Sequence, residues 1–337
     1  MSFTVTIQPS GHRFPVEEGE SILDAALNHG FNLAYGCRNG ACGSCKGKVL
    51  QGEIHYGKEE PIALDEDDKA NRLALFCQAM PNSDVTIEVR EIGAIKDIPV
   101  KILPCKVARL EQLNHDVMLV ELKLPATERL QFLAGQYIDF ILPDGRHRSF
   151  SMANAPHHDE VIELHIRHIE GGQFTSEVFD NLKPKSIMRI EGPLGSFFLR
   201  EDSERPIIFM AGGTGFAPLK GIIEHTIAAN ITRPMYLYWG VRACKDLYMH
   251  ELAQSWAEQY EHIHYIPVLS EPQVGDQWQG RTGYVHDAIC ADFSDLSGFE
   301  IYGSGPPAMV YAGRNAFAMQ GLDLEHYYSD AFEFNKD

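Results

Sequence analysis

The sequence predicts three architectures in series: a small mixed α+β module, an all-β antiparallel barrel and a parallel-sheet α/β domain. Three observations carry this. The 337 residues exceed what one ordinary core accommodates, at about 100–200 residues per domain. From Cys105 to about Leu199, strand-length apolar runs recur between turn-forming groups, as in an antiparallel barrel. From Arg205 onward strand-like runs alternate with helix-like ones, the pattern of a parallel sheet covered on both faces.

In chain order, Phe3 to Ile7 alternate apolar and polar as a strand, Pro9 to Gly11 turn, and Arg13 to Val16 return. Ser21 caps a helix whose apolar face is Ile22, Leu23, Ala26 and Leu27 and which Gly30 ends. Lys48 to Leu50 and Val85 to Val89 read as further strands, with the acidic run EEPIALDEDD between them as solvated surface or a docking edge. Residues 93–104, with Gly93, Pro99 and Pro104, read as a linker. The expected domains are therefore 1–92, 105–202 and 203–337, with one helix, Thr175 to Leu182, interrupting the barrel.

A formal charge of −18 argues against a nucleic-acid surface, which needs clustered Lys and Arg. It suits a soluble enzyme or the steering of a basic protein partner. No apolar run reaches the ~18 residues of a spanning helix, and MSFTVTIQPSG lacks a signal-peptide pattern. The expectation is a cytoplasmic protein that binds no membrane. Its seven cysteines suit metal ligation better than a disulfide framework.

The cysteines carry the sharpest signal. In YGCRNGACGSCK four residues separate Cys37 from Cys42 and two separate Cys42 from Cys45, and Cys77 follows in LFCQAM. That is the plant-type spacing for a [2Fe–2S] cluster. Gly36, Gly40, Gly43 and Gly47 let the backbone wrap the sulfurs and aim N–H groups at them. Structural zinc is the competing reading, but it favours paired motifs of similar spacing. Cys105, Cys244 and Cys290 read as small apolar residues.

Two further motifs fall in the barrel. RSFSMANAP, Arg148 to Pro156, can aim a guanidinium at a phosphate from one extended segment, although alone it equally describes an ordinary strand. GGQFTSEVF, Gly171 to Phe179, opens a helix whose amides and dipole suit a pyrophosphate, and Thr175 and Ser176 are also plain capping residues. Together they point to a flavin nucleotide. In the third region AGGTGFAP, Ala211 to Pro218, follows a strand and opens a helix, the place for a dinucleotide phosphate. It is not G-x-G-x-x-G, so an ordinary Rossmann domain is not indicated. YGSGPPAMV, Tyr302 to Val310, ends a second strand and lies beside it at the carboxyl edge.

Taken together, CRNGACGSC with Cys77, AGQYIDF, RSFSMANAP, EGPLG, AGGTGFAP, YGSGPPAM and YYSDAF resemble the ferredoxin–NADP reductase superfamily over essentially the whole chain. The form resembled is the one fused to an amino-terminal plant-type ferredoxin. The texture is most similar to the CDP-6-deoxy-glucoseen reductases, then to reductase components of multicomponent oxygenases. The resemblance implies a β-grasp ferredoxin, an antiparallel FAD-binding barrel and a parallel-sheet nicotinamide dinucleotide domain. It implies that Cys37, Cys42, Cys45 and Cys77 hold the cluster. Arg148 would bind the FAD pyrophosphate beside Ser149, Phe150 would pack on the ring, and Ser151 would bond near the reactive flavin nitrogen. Gly172, Thr175 and Ser176 would cradle phosphate. Gly212, Gly213, Thr214 and Gly215, with Gly305 and Pro306, would hold the nicotinamide dinucleotide, and Phe332 or Glu333 would cover the flavin face.

Ser304 stands where the family usually has Cys, which bears on hydride transfer. NADH is expected, with NADPH open because Arg242 can meet a 2′-phosphate and no acidic residue ends the strand at Trp239. The implied path runs from NADH through FAD to the cluster and on to an acceptor protein, a CDP-sugar dehydrase or an aromatic-ring oxygenase. A flavin accepts hydride and releases single electrons, which a cluster takes one at a time. A redox-sensing module without turnover is the third reading, and the intact phosphate motifs argue against it.

Overall fold

The computed structural model describes residues 2–57, 60–93 and 98–332. It divides into two units, Met1–Pro99 with Gly195–Phe197, and Val100–Leu194 with Phe198–Asp337.

In the first unit β1 (Ser2–Gln8) and β2 (Arg13–Glu17) form a hairpin, and Val5, Ile7, Phe14 and Val16 face the core at alternate positions. Ser21 caps α1 (Ile22–Asn28) by accepting from the Asp24 N–H, and the following Gly30 takes φ +79°. The chain continues through β3 (Lys46–Gln51), β4 (Ile54–His55), α2 (Glu66–Ala70), β5 (Leu73–Leu75), β6 (Met80–Pro81) and β7 (Val85–Glu88). The main sheet runs β2-β1-β7-β3-β5, with β1 and β7 parallel and the other pairs antiparallel. The acidic run is more than solvated surface. Asp65 and Asp68 close a capping box on α2, Asp68 pairs with Lys46, and Pro61 and Leu64 are buried.

The second unit opens with six antiparallel strands: β8 (Lys101–Gln112), β9 (Val117–Lys123), β10 (Tyr137–Ile141), β11 (His147–Ser151), β12 (Ile162–Arg167) and β13 (Ile187–Leu194). Their order is β11-β10-β13-β8-β9-β12, and a Met152–Leu164 bridge brings the two ends together. Leu103, Cys105, Val107, Ile138, Phe140, Leu164 and Ile190 fill the interior, and burial pushes the Cys105 thiol up to about 12. Cys244 and Cys290, read as apolar fillers, are only half-buried. β8 begins inside the stretch that reads as a linker. Pro104 is tolerated there because it precedes Lys106, where pairing with β9 begins. The barrel helix, α3 (Gln173–Asp180), starts two residues before its expected position with Gly172 as N-cap.

The rest of this unit is β14 (Ile207–Gly212), α4 (Phe216–Ala228), β15 (Met235–Val241), α5 (His250–Gln259), β16 (Ile263–Leu269), β17 (Arg281–Thr282), α6 (Val285–Asp292), β18 (Glu300–Gly305), α7 (Pro307–Met319) and β19 (Tyr327–Ala331). All strands are parallel, in the order β17-β16-β15-β14-β18-β19. β14 is buried at every residue, which explains its unbroken apolar run. Strand order reverses between β14 and β18, and ligands of open α/β sheets bind outside the carboxyl ends at such a point. AGGTG and YGSGPP both end there.

Candidate functional site

The cysteine loop is built by its neighbours. The N–H groups of Ile22 and Leu23, at the start of α1, donate to Ala79 O and Phe76 O, fixing the segment that carries Cys77 (2.9 Å each). Phe76 N–H donates to Cys45 O at 3.2 Å, tying that segment to the loop. Ala41 and Cys42 N–H groups reach Cys37 Sγ at 3.3 and 3.2 Å, and Cys37 and Ser44 N–H groups each reach Cys42 Sγ at 3.4 Å. Positive φ at Arg38, Gly40 and Gly43 bends the loop to allow this. Gly47 serves packing instead: an added Cβ would stand 2.4 Å from the Phe76 ring.

Cys42, Cys45 and Cys77 are buried and Cys37 half-buried. The Cys42 hydrogen bond and burial push the Cys37 thiol far up, and the Cys37 bond pulls Cys42 down to about 6. Its Cys77 contact and burial raise Cys45 as well. One anion here suppresses the next, so four thiolates require a cationic centre among them.

On β11, alternation sends Arg148 and Phe150 to one side and His147 and Ser149 to the other. Phe150 packs near Phe140 and Phe174, with centroids 5.9 and 5.6 Å away. The N-terminus of α3, opened by Gly171 at φ +81°, follows β12 in chain order. Thr175 turns its hydroxyl inward to the Ile169 N–H at 3.1 Å, while Ser176 Oγ meets His168 Nε2 at 3.3 Å. Ser149 stands apart from this group and donates to Asp139 Oδ1.

At the switch point the two glycine loops pack backbone against backbone. A Cβ on Gly215 would lie 2.0 Å from Ser304 O, and one on Gly305, at φ +143°, would lie 2.9 Å from Gly212 Cα. These glycines are required for loop contact. Gly213 is different: its φ is +54°, its O accepts from Trp239 Nε1 at 3.0 Å, and an added Cβ would meet Arg167 Nη1 at 3.3 Å. Thr214 is buried, and the exposed Pro306 caps α7. Phe332 N–H donates to Gly305 O at 2.9 Å, carrying β19 alongside β18; Glu333 lies outside the described residues.

Ser151 Oγ donates to Asp330 Oδ2 at 2.9 Å, and Asp330 pairs across the strands with Ser304. Among the described residues the buried Ser304 hydroxyl has no hydrogen-bond partner. An orphaned hydroxyl costs free energy unless a ligand satisfies it. Three regions distant in sequence thus converge on one spot.

Residues 5–82 match the family described as 2Fe-2S iron-sulfur cluster binding domain, 104–199 the oxidoreductase FAD-binding domain, and 209–315 the oxidoreductase NAD-binding domain. The chain belongs to the iron–sulfur flavoprotein reductases. It is 42% identical to the CDP-6-deoxy-L-threo-D-glycero-4-hexulose-3-dehydrase reductase of Yersinia pestis, over 98% of this chain and 99% of that one. Identity is 35% to the phenol 2-monooxygenase reductase component DmpP of Pseudomonas sp. strain CF600, over 98% and 96%. The crystal structure of the Amycolatopsis cytochrome P450 reductase GcoB aligns with TM-score 0.78 and 34% identity, covering 98% of each chain. A reductase of this family uses a [2Fe–2S] cluster, FAD and NAD(P)H, and passes electrons from NADH through FAD to the cluster.

The residues present fit these groups: clustered thiols needing a cation, a helix N-terminus beside an Arg-bearing strand, and glycine loops at a switch point. Sequence reasoning missed three side chains that the structure places against these motifs. Asp330 lies inside the quoted YYSDAF, but only its hydrogen bond to Ser151 singles it out. Arg167, held by Asp116 at 2.8 Å, reaches the Gly213 loop from the barrel. Lys220 on α4 is buried among Glu224 Oε1 (2.9 Å), Glu163 Oε1 (3.2 Å) and Ala153 O (3.2 Å). Burial alone would raise the Glu163 carboxyl, but the His165 hydrogen bond and the Lys220 charge pull it down to about 2. Gly221 lets α4 lie flush on Met152–Asn154, because a Cβ there would stand 3.0 Å from Asn154 O. The helix that starts at the dinucleotide loop is thereby locked to the segment just after Ser151.

Proposed function

We propose that this reductase supplies electrons to a dehydrase acting on a CDP-sugar. The observation that carries this is the 42% identity over nearly the full length of both chains to a reductase of that printed role, against 35% to the phenol 2-monooxygenase component. The second reading, service to an aromatic-ring oxygenase, rests on that second relative.

Along the chain we take the iron–sulfur domain to end at residue 92, the FAD barrel to run from β8 to about 202 and the dinucleotide domain to follow from 203. When bound, FAD supplies the conversion between a two-electron hydride and single electrons. Arg148 and the α3 N-terminus, with Gly172, Thr175 and Ser176, hold its pyrophosphate by charge and backbone amides. Phe150 packs on the ring system. Asp330 holds the Ser151 hydroxyl in place, and Ser304 offers an unused hydrogen bond at the same spot. Gly212 to Gly215, Gly305 and Pro306 shape the cleft for the nicotinamide dinucleotide, and Phe332 closes its edge. NADH is the assigned donor, although Arg242 follows β15. Cys37, Cys42, Cys45 and Cys77 hold two iron atoms, and the N–H groups on Cys37 and Cys42 Sγ stabilise negative charge on sulfur.

Among the described residues no helix is long and apolar enough to cross a membrane, and all seven cysteines are free. We place the protein in the cytoplasm, away from membrane and nucleic acid, with a protein as acceptor. The test is NADH oxidation by the purified reductase in the presence of a CDP-4-keto-6-deoxyhexose 3-dehydrase and its substrate. Stimulation dependent on both supports the reading. No stimulation by the dehydrase, alongside stimulation by an aromatic oxygenase component, sinks it.

A further inference from the structure

The outer side of the barrel carries a cluster that the electron path does not use. Asp139 on β10 pairs directly with Ser149 on β11 and with Glu191 on β13, and Ile141 pairs with His147. Directly paired residues of antiparallel strands share a face, so Asp139, Glu191, His147 and Ser149 stand together. Arg148 and Phe150 face the other way.

Two carboxylates opposite one another on adjacent strands repel, and the Asp139 side chain is only 9% exposed, so water relieves it little. Among the described residues no Lys or Arg pairs with either acid. The neighbour is His147, whose Nδ1 lies 3.2 Å from Asp139 Oδ2 and 3.6 Å from Glu191 Oε2. A neutral imidazole leaves both charges standing, and a protonated one offsets a single charge. Ser149 occupies Asp139 Oδ1, which leaves Oδ2 turned to the imidazole.

We propose that Asp139, His147 and Glu191 form a binding site for a divalent cation of the zinc class. One imidazole nitrogen and two carboxylate oxygens suit that ion. Their ligand atoms all lie within 4.8 Å of one another. A tetrahedral site with arms of ~2.0–2.2 Å separates its ligand atoms by about 3.3–3.6 Å. Of the two separations measured from His147 Nδ1, that to Glu191 Oε2 (3.6 Å) matches this spacing and that to Asp139 Oδ2 (3.2 Å) falls just short of it. Turning the Glu191 side chain, 25% exposed, closes the third. Ser149 is the outer partner that orients the buried ligand, and water completes the coordination. The ion ties β11, the strand bearing Arg148 and Ser151, to β10 and β13.

The experiment titrates zinc by calorimetry into chelator-washed holoprotein, with the visible absorption of flavin and cluster followed to show that both stay bound. One zinc per chain is expected, bound at least about tenfold more weakly by His147→Asn, since even outer-partner losses cost 10–100-fold. His147 is exposed, so this variant keeps its fold; paired His157→Asn and His158→Asn changes are expected to leave binding unaltered. Crystals of the zinc-loaded holoprotein should show an anomalous peak among Asp139, His147 and Glu191. No uptake of zinc, uptake undiminished in His147→Asn, or a peak elsewhere overturns the proposal.

Discussion

The cysteine loop and the glycine junction both make room for a redox group, and they do so by opposite means. At the loop the proposed ligands are side chains, three from the loop and Cys77 from a later segment, and the backbone serves by donating N–H groups to Cys37 and Cys42 sulfurs. At the junction of β14 and β18 the side chains are missing, and the loops meet at distances that no Cβ allows. A side-chain site tolerates backbone change and fails when one ligand atom is lost. A backbone site tolerates neighbouring side-chain change and fails when one atom is added.

Five outcomes sharpen or break this contrast, from the largest effect to the smallest. Cys42→Ser should abolish NADH-driven reduction of cytochrome c while flavin-level reduction of ferricyanide continues; equal loss of both would break the order NADH, FAD, cluster. Lys220→Met removes the buried cation that the partly buried Glu163 and Glu224 face and should destabilise the second unit by about 3 kcal/mol in denaturant unfolding followed by flavin fluorescence. An effect under about 1 kcal/mol, the range of an exposed pair, would contradict the locking role.

Asp330→Asn weakens a charged hydrogen bond to Ser151, worth about 1.5–3 kcal/mol. Stopped-flow flavin reduction by NADH should therefore slow roughly ten- to hundredfold, with cluster reduction by dithionite unchanged. Gly215→Ala adds one methyl against Ser304 O and should cost about 1–3 kcal/mol of overpacking, read as a higher KM for NADH with the cluster spectrum intact. Wild-type KM would show that the junction is looser than its backbone spacing.

The smallest effect is in pH. Burial lowers the pKa of His165, which bonds Glu163 at 2.9 Å and Tyr248 OH at 3.1 Å. A depressed folded pKa means the unfolded chain takes up a proton that the folded one refuses. Stability should therefore fall as pH drops below ~6.5, by at most about 1.4 kcal/mol per pH unit for this group. His165→Gln should flatten that slope in thermal unfolding between pH 7.5 and 5.5; an unchanged slope assigns it to other groups.

The same contrast explains what could be read from the sequence. Ligand spacing is a one-dimensional property, so Cys37, Cys42, Cys45 and Cys77 were legible, as were β14, α4 and β18, whose apolar runs and glycines mark their ends. The Ser151–Asp330 bond spans most of the second unit in sequence and becomes visible only when β19 lies beside β18. Lys220 sits in an amphipathic-looking helix where charge reads as surface, and only three-dimensional packing buries it. Ser149 reads as one group with its neighbours, because a motif string merges the two faces that the period of two along β11 separates. Likewise α2 hid inside an acidic run because its Asp65–Asp68 capping box looks like solvated charge. Gly47 read as a cluster glycine, and its place against Phe76 shows that adjacency in a loop does not assign a task.

The bonds from Ile22 and Leu23 at the head of α1 to Ala79 and Phe76 have a consequence for assembly. Cys77 arrives from a distant segment, and bringing it to the loop closes a long stretch of chain whose entropy must be offset before the fourth ligand exists. Helix α1 and the pairing of β3 with β5 meet that cost, so three ligands are local and the fourth depends on the finished domain. A cluster held by Cys37, Cys42, Cys45 and Cys77 would staple the two segments together, so that losing it would loosen the domain.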